Sequence, residues 1–165
     1  MTARSGVLEL FQSSDLIALA FQADRVRKRL CQHNIVSYSM EADAPFAIAF
    51  ERGEPIEQVF SRLDEIAASQ PLAVFPRCQA GATAAEYLKL LALTRICLAD
   101  VPHVQTSTSF GLKICQIALR FGADDIVLGD EERHRPAEEQ IRRLIRDAGF
   151  IPKRRDASFG GYALD

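Results

Sequence analysis

The stretch from Pro102 to Gly129 changes its hydrophobic period twice along the chain. Its outer parts, His103–Thr106 and Asp125–Leu128, are short runs of apolar and β-branched residues, which are typical of strands. Between them, from Leu112 to Phe121, the polar residues recur at i, i+3 and i+7, so that one narrow stripe of a helix faces water. A strand joined through a helix to a second strand predicts a parallel βαβ unit with a right-handed crossover.

The rest of the chain repeats this alternation of short apolar runs and helical patterns. Three further apolar runs predict strands: Asn34–Met40, Phe46–Phe50 and Leu72–Phe75. Four further segments predict helices: one capped by Ser13 or Ser14 and ending near Gln32, one from Pro55 to about Ala68, one from the capping box of Thr83 and Glu86 to Ala99, and one from Pro136 to Gly149. The segment after Phe150 has no clear periodicity and is interpreted as a tail.

These elements predict an α/β fold with about five mainly parallel strands and flanking helices. A closed eight-stranded β/α barrel needs roughly 250 residues, whereas this chain has 165. We therefore expect a truncated, partial TIM-type β/α barrel that forms a single domain over residues 1–165. In this domain, residues 1–33 form N-terminal helices, residues 34–150 form the β/α units and residues 151–165 form the tail.

Composition and charge narrow the class of protein. Hydrophobic residues make up 48% of the chain and the net charge is −2, which indicates a globular domain without a nucleic-acid or membrane-binding surface. The N-terminal sequence MTARSGVLELF lacks the apolar core of a signal peptide, so we expect a cytoplasmic location. The four cysteines are widely spaced and are expected to be buried thiols: Cys31, Cys78, Cys97 and Cys115.

Parallel β/α sheets bind their ligands at the carboxyl ends of the strands. Eight residues at or near the predicted strands are therefore candidates for ligand binding: Tyr38, Arg77, Cys78, His103, Gln105, Ser107, Asp130 and Glu131. Arg77 can instead pair with a loop carboxylate, and His103 can face either side of its strand. No catalytic residue and no metal site is predicted, because the sequence contains no phosphate-binding glycine loop, no H-E-x-x-H pair and no G-x-S-x-G elbow.

Several motifs in the second half of the chain are specific to one family. They are AAEYL at residues 84–88, PHVQ at 102–105, GLK at 111–113, QIAL at 116–119, FGADD at 121–125 and IRRLIRDAGF at 141–150, followed by Pro152, Arg155 and Asp156. They resemble the carboxyl-terminal part of the radical S-adenosylmethionine enzymes of the futalosine route to menaquinone, which are aminodeoxyfutalosine synthase and dehypoxanthine futalosine cyclase. The resemblance implies a β/α barrel and, in the family's enzymes, a [4Fe–4S] cluster that works with S-adenosylmethionine.

The loop after the first predicted strand departs from the family pattern. The family holds its cluster in a C-x-x-x-C-x-x-C loop at this place, whereas residues 41–45 of this chain are EADAP and include no cysteine. Cluster ligation requires several convergent thiolates. We therefore expect no cofactor and no independent radical activity in this chain.

Two hypotheses about function follow from the resemblance and the departure. The first is a non-catalytic binding or partner subunit; the alternative is an enzyme, or an enzyme subunit, of the futalosine pathway that acts on an aminodeoxyfutalosine-like ligand. A folded product without a role is left open as a third hypothesis. Exposed sheet edges invite pairing with another chain, so we expect a homodimer or a barrel partner protein at the edges near Asn34–Met40 and Asp125–Leu128.

Overall fold

The computed structural model describes residues 6, 8–9, 11–12, 15–31, 34–41, 46–129 and 135–159 of the chain. In this part of the chain, six strands form one sheet in which every neighbouring pair is parallel. The strands are β1 (Ile35–Tyr38), β2 (Phe46–Phe50), β3 (Ala73–Cys78), β4 (His103–Ser107), β5 (Asp125–Val127) and β6 (Ile151–Arg154). The predicted α/β fold is confirmed, and the sheet has one strand more than the predicted number of about five.

Within the described residues, five α-helices pack on the sheet: α1 (Leu16–Leu30), α2 (Ile56–Ser69), α3 (Ala84–Cys97), α4 (Leu112–Ala118) and α5 (Glu138–Asp147). Two short 3₁₀ helices, Thr108–Phe110 and Leu119–Phe121, flank α4. Helix α3 begins at the predicted capping box, in which the Glu86 amide donates to Thr83 Oγ1 at 3.2 Å and the Thr83 amide donates to Glu86 Oε2 at 2.7 Å. The N-cap of α1 is Asp15, whose carboxylate accepts from the Ala18 amide. We predicted Ser13 or Ser14 as this cap, and both serines lie outside the described residues.

The order of the strands in the sheet is β2-β3-β4-β5-β1-β6. The first strand of the chain thus lies beside the fifth, with Ser37 opposite Asp125, as the first and last strands of a closed barrel lie side by side. The sheet ends at β2 on one side and at β6 on the other, so the arrangement is consistent with a partial TIM-type barrel. The edges predicted near Asn34–Met40 and Asp125–Leu128 are wrong, because β1 and β5 are each paired on both sides.

The predicted tail contributes a strand that the hydrophobic pattern does not reveal. Its sequence, IPKR, forms β6 and pairs in parallel with β1, with Ile35 opposite Ile151 and Tyr38 opposite Arg154. Strand β3 is also longer than predicted, since it continues through Pro76 to Cys78. Proline is tolerated there because β3 pairs with β4 only at Ala73 and Val74, so that no ladder bond is required from residue 76 on that side.

Alternate residues of the strands face opposite sides of the sheet. On β4, the Thr106 hydroxyl lies 2.8 Å from the Tyr87 hydroxyl of α3, which places Thr106 on the side covered by helices. Gln105 and its neighbours in register therefore point to the other side, which corresponds to the interior of a barrel. We call this second side the inner face. Among the described residues, no helix combines the length and the apolar character needed to span a membrane.

Candidate functional site

A buried carboxylate occupies the middle of the inner face. Asp125, the first residue of β5, is fully buried and accepts four hydrogen bonds. Oδ1 accepts from Ser37 Oγ at 2.5 Å and from Arg155 Nε at 2.7 Å. Oδ2 accepts from Gln105 Nε2 at 2.8 Å and from Arg155 Nη2 at 2.6 Å. The two-point contact with a buried guanidinium offsets the cost of burying this charge.

A second buried carboxylate, Asp124, lies at the amino-terminal end of the sheet. Its Oδ1 accepts from the Val104 amide at 2.8 Å and from the Arg95 guanidinium. Its Oδ2 lies 2.6 Å from His103 Nδ1 and accepts from the Cys31 thiol at 3.2 Å. Burial raises the pKa of Asp124, but Arg95 and then His103 more than offset this effect, so that the pKa lies below its ordinary value.

The segment after β6 lies against these two carboxylates. The ring of Phe159 stacks on the ring of His103, with 4.7 Å between centroids and 21° between planes. The guanidinium of Arg155 also lies over the Phe159 ring, 3.7 Å from the ring centroid. The residues that we predicted to be an aperiodic tail therefore cover part of the inner face and connect Asp125 with His103.

Three of the predicted site residues share the inner face of β4. His103 lies at its amino-terminal end, Gln105 in its middle and Ser107 at its carboxyl end. The hydroxyl of Ser107 accepts from the Ser109 amide at 3.2 Å and from the Ser109 hydroxyl at 3.0 Å. These three side chains form a line along the strand, in which His103 contacts Asp124, Gln105 donates to Asp125 and Ser107 accepts from Ser109.

The other predicted site residues do not join this line. Tyr38 faces α5, where its phenol donates to Glu138 at 2.8 Å, and burial followed by Glu138 raises its pKa to about 12. Arg77 is exposed, with its guanidinium 5.9 Å from the centroid of the Phe75 ring. Cys78 is partly buried at the end of β3. Asp130 and Glu131 lie outside the described residues.

Sequence reasoning missed the residues that organise the polar side of the sheet. Asp124 and Arg155 were noted only among the family-matching residues and Asp125 also as the first residue of a predicted strand; none of the three was a predicted site residue. One signal was available: a carboxylate at the start of an apolar strand is costly to bury, so it implies a buried partner. The identity of that partner was not accessible, because Arg155 follows a strand that the pattern does not predict.

Three clefts of the described structure have the size of small-molecule sites. One of about 530 Å³ lies at the carboxyl ends of β4 and β5; its lining includes Thr108, Ser109, Gly129, Arg135 and Gln140. One of about 420 Å³ lies at the amino-terminal end of the sheet; its lining includes Cys31, Ser37, His103, Asp124 and Lys153. One of about 300 Å³ lies between α2 and α3; its lining includes Phe11, Phe50, Cys78, Glu86 and Leu90.

The four cysteines do not fit the cluster that the resemblance implies. They lie at the end of α1 (Cys31), the end of β3 (Cys78), the end of α3 (Cys97) and within α4 (Cys115). Burial raises the pKa of Cys31 and of Cys115 to about 12 and that of Cys78 to about 11. The four thiols lie on four different elements, whereas a cluster needs convergent ligands. Within the described ranges, no three His, Cys, Asp or Glu side chains are grouped to hold a metal ion.

The fold and the inner face define a class of protein, the partial parallel β/α barrels with a polar interior side. Comparison with protein families identifies the family within this class to which the chain belongs. Residues 69–163 match the CofH/MqnC C-terminal region. Because the match covers more than half of the chain, the chain belongs to this family, and the resemblance to the carboxyl-terminal part of the futalosine radical S-adenosylmethionine enzymes is confirmed.

Curated relatives each match about half of the chain. The cyclic dehypoxanthine futalosine synthase of Streptomyces coelicolor is 34% identical over an alignment of 88 residues that covers 47% of this chain and 22% of that protein. The aminodeoxyfutalosine synthase of the same organism is 34% identical over 91 residues, 47% of this chain and 24% of that protein. The 5-amino-6-(D-ribitylamino)uracil–L-tyrosine 4-hydroxyphenyl transferase of Methanothermobacter thermautotrophicus is 37% identical over 92 residues, 48% of this chain and 25% of that protein. The matched part thus spans about a quarter of each relative.

Proposed function

We propose that this chain is a non-catalytic binding or partner subunit that is related to the futalosine enzymes of menaquinone biosynthesis and has no [4Fe–4S] site of its own. The observation that supports this proposal most directly is the placement of the thiols on separate elements. The Cys31 thiol donates a hydrogen bond to Asp124, and burial raises the pKa values of Cys31, Cys78 and Cys115. Each of these thiols packs within a different element, which favours a subunit that binds a partner over an enzyme that delivers electrons.

The inner face supports the same proposal. In a barrel enzyme, polar groups of the interior are available to a substrate, but here the carboxylate of Asp125 is engaged by Ser37, Gln105 and Arg155. These bonds fix the last strand to the middle of the sheet. The buried polar groups therefore stabilise the incomplete barrel, which is what a subunit acting through its surface requires.

Anaerobic reconstitution tests the absence of radical chemistry. The purified chain is incubated with iron, sulfide and a reductant, and S-adenosylmethionine is then added, with an enzyme that has an intact C-x-x-x-C-x-x-C loop as the positive control. We expect no stoichiometric iron and no 5′-deoxyadenosine, because the thiols lie on separate elements and only Cys115 is fully buried. A Cys78→Ser variant controls for iron bound adventitiously to a partly buried thiol. A brown sample that forms 5′-deoxyadenosine by itself contradicts the proposal.

The alternative, a subunit that binds an aminodeoxyfutalosine-like ligand of the pathway, is supported by one specific feature. The cleft of about 530 Å³ lies at the carboxyl ends of β4 and β5, which is where parallel β/α sheets bind ligands. Its wall carries hydroxyls of Thr108 and Ser109 and the cation of Arg135. This combination suits a ligand that has both hydroxyl groups and a carboxylate.

Calorimetric titration with aminodeoxyfutalosine distinguishes the alternative from the first proposal. If the cleft holds this ligand, an Arg135→Ala variant weakens the affinity about tenfold or more, because a charge-assisted hydrogen bond is lost. The matched control is Arg143→Ala, which removes an exposed arginine that pairs with Asp147 at 3.6 Å on α5. No measurable affinity in the wild-type chain removes the alternative.

A further inference from the structure

The cleft of about 300 Å³ between α2 and α3 belongs to neither function proposed above. It lies beyond Phe50 and Cys78, the last residues of β2 and β3, and the loops after these strands form part of its lining. Val59 of α2 and Leu90 of α3 also line it, which places the cleft on the helix-covered side of the sheet and not on the inner face. Its lining is separate from that of the cleft at the carboxyl ends of β4 and β5.

The floor of this cleft is apolar. Phe50 and Val59 are buried in the core, and Ile56 and Leu90 pack against the same core while they remain partly exposed. Phe11 forms a further wall. An apolar body that covers these side chains removes them from water, which favours binding. The two phenylalanine rings favour an aromatic body, because aromatic rings gain from offset or edge-to-face contacts.

The volume of the cleft limits the size of the ligand. An engineered cavity of about 150 Å³ that is lined by Leu, Ile and Phe side chains holds benzene. The cleft, at about 300 Å³, is about twice as large, which suits a body of two fused rings. Small-molecule sites range from roughly 300 to 1,000 Å³, so a much larger ligand extends out of this cleft into solvent.

The cations of the cleft rim are engaged by the protein. Arg52 Nε donates to Glu86 Oε1 at 3.2 Å. Lys89 Nζ donates to the carbonyl of Phe11 at 3.3 Å and lies 5.6 Å from the centroid of the Phe11 ring. To bind an anion, Arg52 or Lys89 must give up one of these contacts, which opposes a ligand with a negative charge.

The carboxylates of the rim are engaged unequally. Glu86 accepts from Arg52, as described above. Glu54 accepts from Arg62 Nη1 at 3.3 Å. Among the residues that the structure describes, the exposed carboxylate of Glu51 has neither a hydrogen bond nor an ion pair. The rim therefore presents an acceptor that needs a donor, directly beside an apolar floor.

We infer that this cleft binds a neutral aromatic molecule of two fused rings that carries a hydrogen-bond donor. The rings lie against Phe50, Val59 and Leu90, and the donor lies toward Glu51. Because Phe50 and Val59 are held by the core, the floor is formed before the ligand binds, and binding requires little ordering of these residues.

Fluorescence titration with indole tests the inference. The chain contains no tryptophan, so excitation beyond the tyrosine band excites the probe alone. We expect a saturable blue shift of the indole emission, because the ring moves from water to an apolar floor. Two related probes vary one property each: 1-methylindole has no N–H donor, and indole-3-carboxylate adds a negative charge. Both are expected to bind more weakly than indole.

Two variants separate the floor from the rim. Leu90→Ala removes hydrocarbon from the floor and is expected to weaken the binding of indole and of 1-methylindole alike, by about fivefold or more. Glu51→Ala removes the acceptor and is expected to weaken the binding of indole by about threefold or more, without an effect on 1-methylindole. The matched controls keep the wild-type affinity. They are Leu72→Ala, at a 64% exposed side chain before β3, and Glu57→Ala, at an exposed position of α2 outside the cleft lining.

Four outcomes overturn the inference. The emission of indole neither shifts nor saturates; Leu90→Ala and Leu72→Ala weaken binding equally; Glu51→Ala has the same effect on indole as on 1-methylindole; or indole-3-carboxylate binds as tightly as indole. Urea unfolding of each variant verifies that the compared proteins are folded.

Discussion

At the scale of single residues, two adjacent carboxylates determine how the polar interior is built. Asp124 pairs with Arg95 from α3, and Asp125 pairs with Arg155 from the segment after β6. All four side chains are almost completely removed from water. In such pairs, removal of one partner lowers the free energy of unfolding more than removal of both, because a charge then remains buried without a counter-charge.

Replacement of Asp124 by asparagine tests this consequence. The variant leaves the guanidinium of Arg95 buried without its counter-charge, so we expect the free energy of unfolding at pH 7 to fall by about 3–5 kcal/mol. The measurement is equilibrium urea unfolding of both proteins. Asp100→Asn, which changes an exposed carboxylate in the same way, is the control and is expected to unfold like the wild type.

The pH dependence of stability supplies a second readout for Asp124. Its pKa is lower in the folded protein than the ordinary 3.8, so the unfolded chain takes up the proton first as the pH falls. The stabilisation is complete above this ordinary value and is lost as the pH falls from there through the pKa of the folded state. We expect the difference in unfolding free energy between wild type and Asp124→Asn to shrink in this window. A difference that stays constant down to pH 2 contradicts the assignment.

At the scale of elements, the first turn of α3 shows how local chemistry defines a boundary. Thr83 and Glu86 satisfy each other's backbone amides there. We expect Thr83→Ala to lower the free energy of unfolding by about 1 kcal/mol, because one amide at the helix start loses its acceptor. Ser61→Ala, at an exposed position in the middle of α2, is the control and is expected to be neutral or slightly stabilising. Equal effects of the two changes contradict the capping assignment.

Sequence patterns predicted the elements that are defined by a short run of the chain itself. They failed for elements whose conformation depends on pairing with a distant strand. Strand Phe46–Phe50 was predicted with its observed bounds, since a compact apolar run bordered by polar residues is unambiguous. Strand β6 was missed because a proline, a lysine and an arginine make up three of its four residues, and only the neighbouring β1 holds it extended. For the same reason, only part of the candidate site was predicted. The alternation along β4 could be inferred from the sequence, whereas the contact of Asp125 with Arg155 depends on that missed strand.

At the scale of the whole molecule, the open sheet has two unequal edges. The edge strand β6 contains Pro152, which has no amide hydrogen, and the charges of Lys153 and Arg154; such features oppose pairing with another chain. The edge strand β2 begins with Phe46, which is 49% exposed. Further along this edge, the guanidinium of Arg62 donates to the carbonyl of Ala49, so that this carbonyl is already hydrogen-bonded. A partner chain is therefore proposed to contact the molecule around Phe46.

Light scattering at micromolar concentration tests this choice of edge. We expect a dimer for the wild type and a monomer for Phe46→Lys, because the lysine places a charge in the proposed contact. Ile151→Lys makes the same change on the opposite edge, at a side chain that is 56% exposed, and is expected to leave the dimer intact. A wild-type monomer contradicts self-association through β2, and a monomeric Ile151→Lys variant assigns the contact to β6.

The position of β1 between β5 and β6 affects how the protein folds during its synthesis on the ribosome. Ser37 meets its partner Asp125 across 88 residues, and Ile35 meets Ile151 across still more of the chain. The first strand therefore emerges from the exit tunnel long before its partners are synthesised, and β1 cannot join the sheet in the order of translation, whereas β2 to β5 can. A nascent chain arrested before residue 125 presents IVSY as an unpaired apolar segment, so chaperone binding during synthesis is expected to concentrate there and to end when the last strand is released.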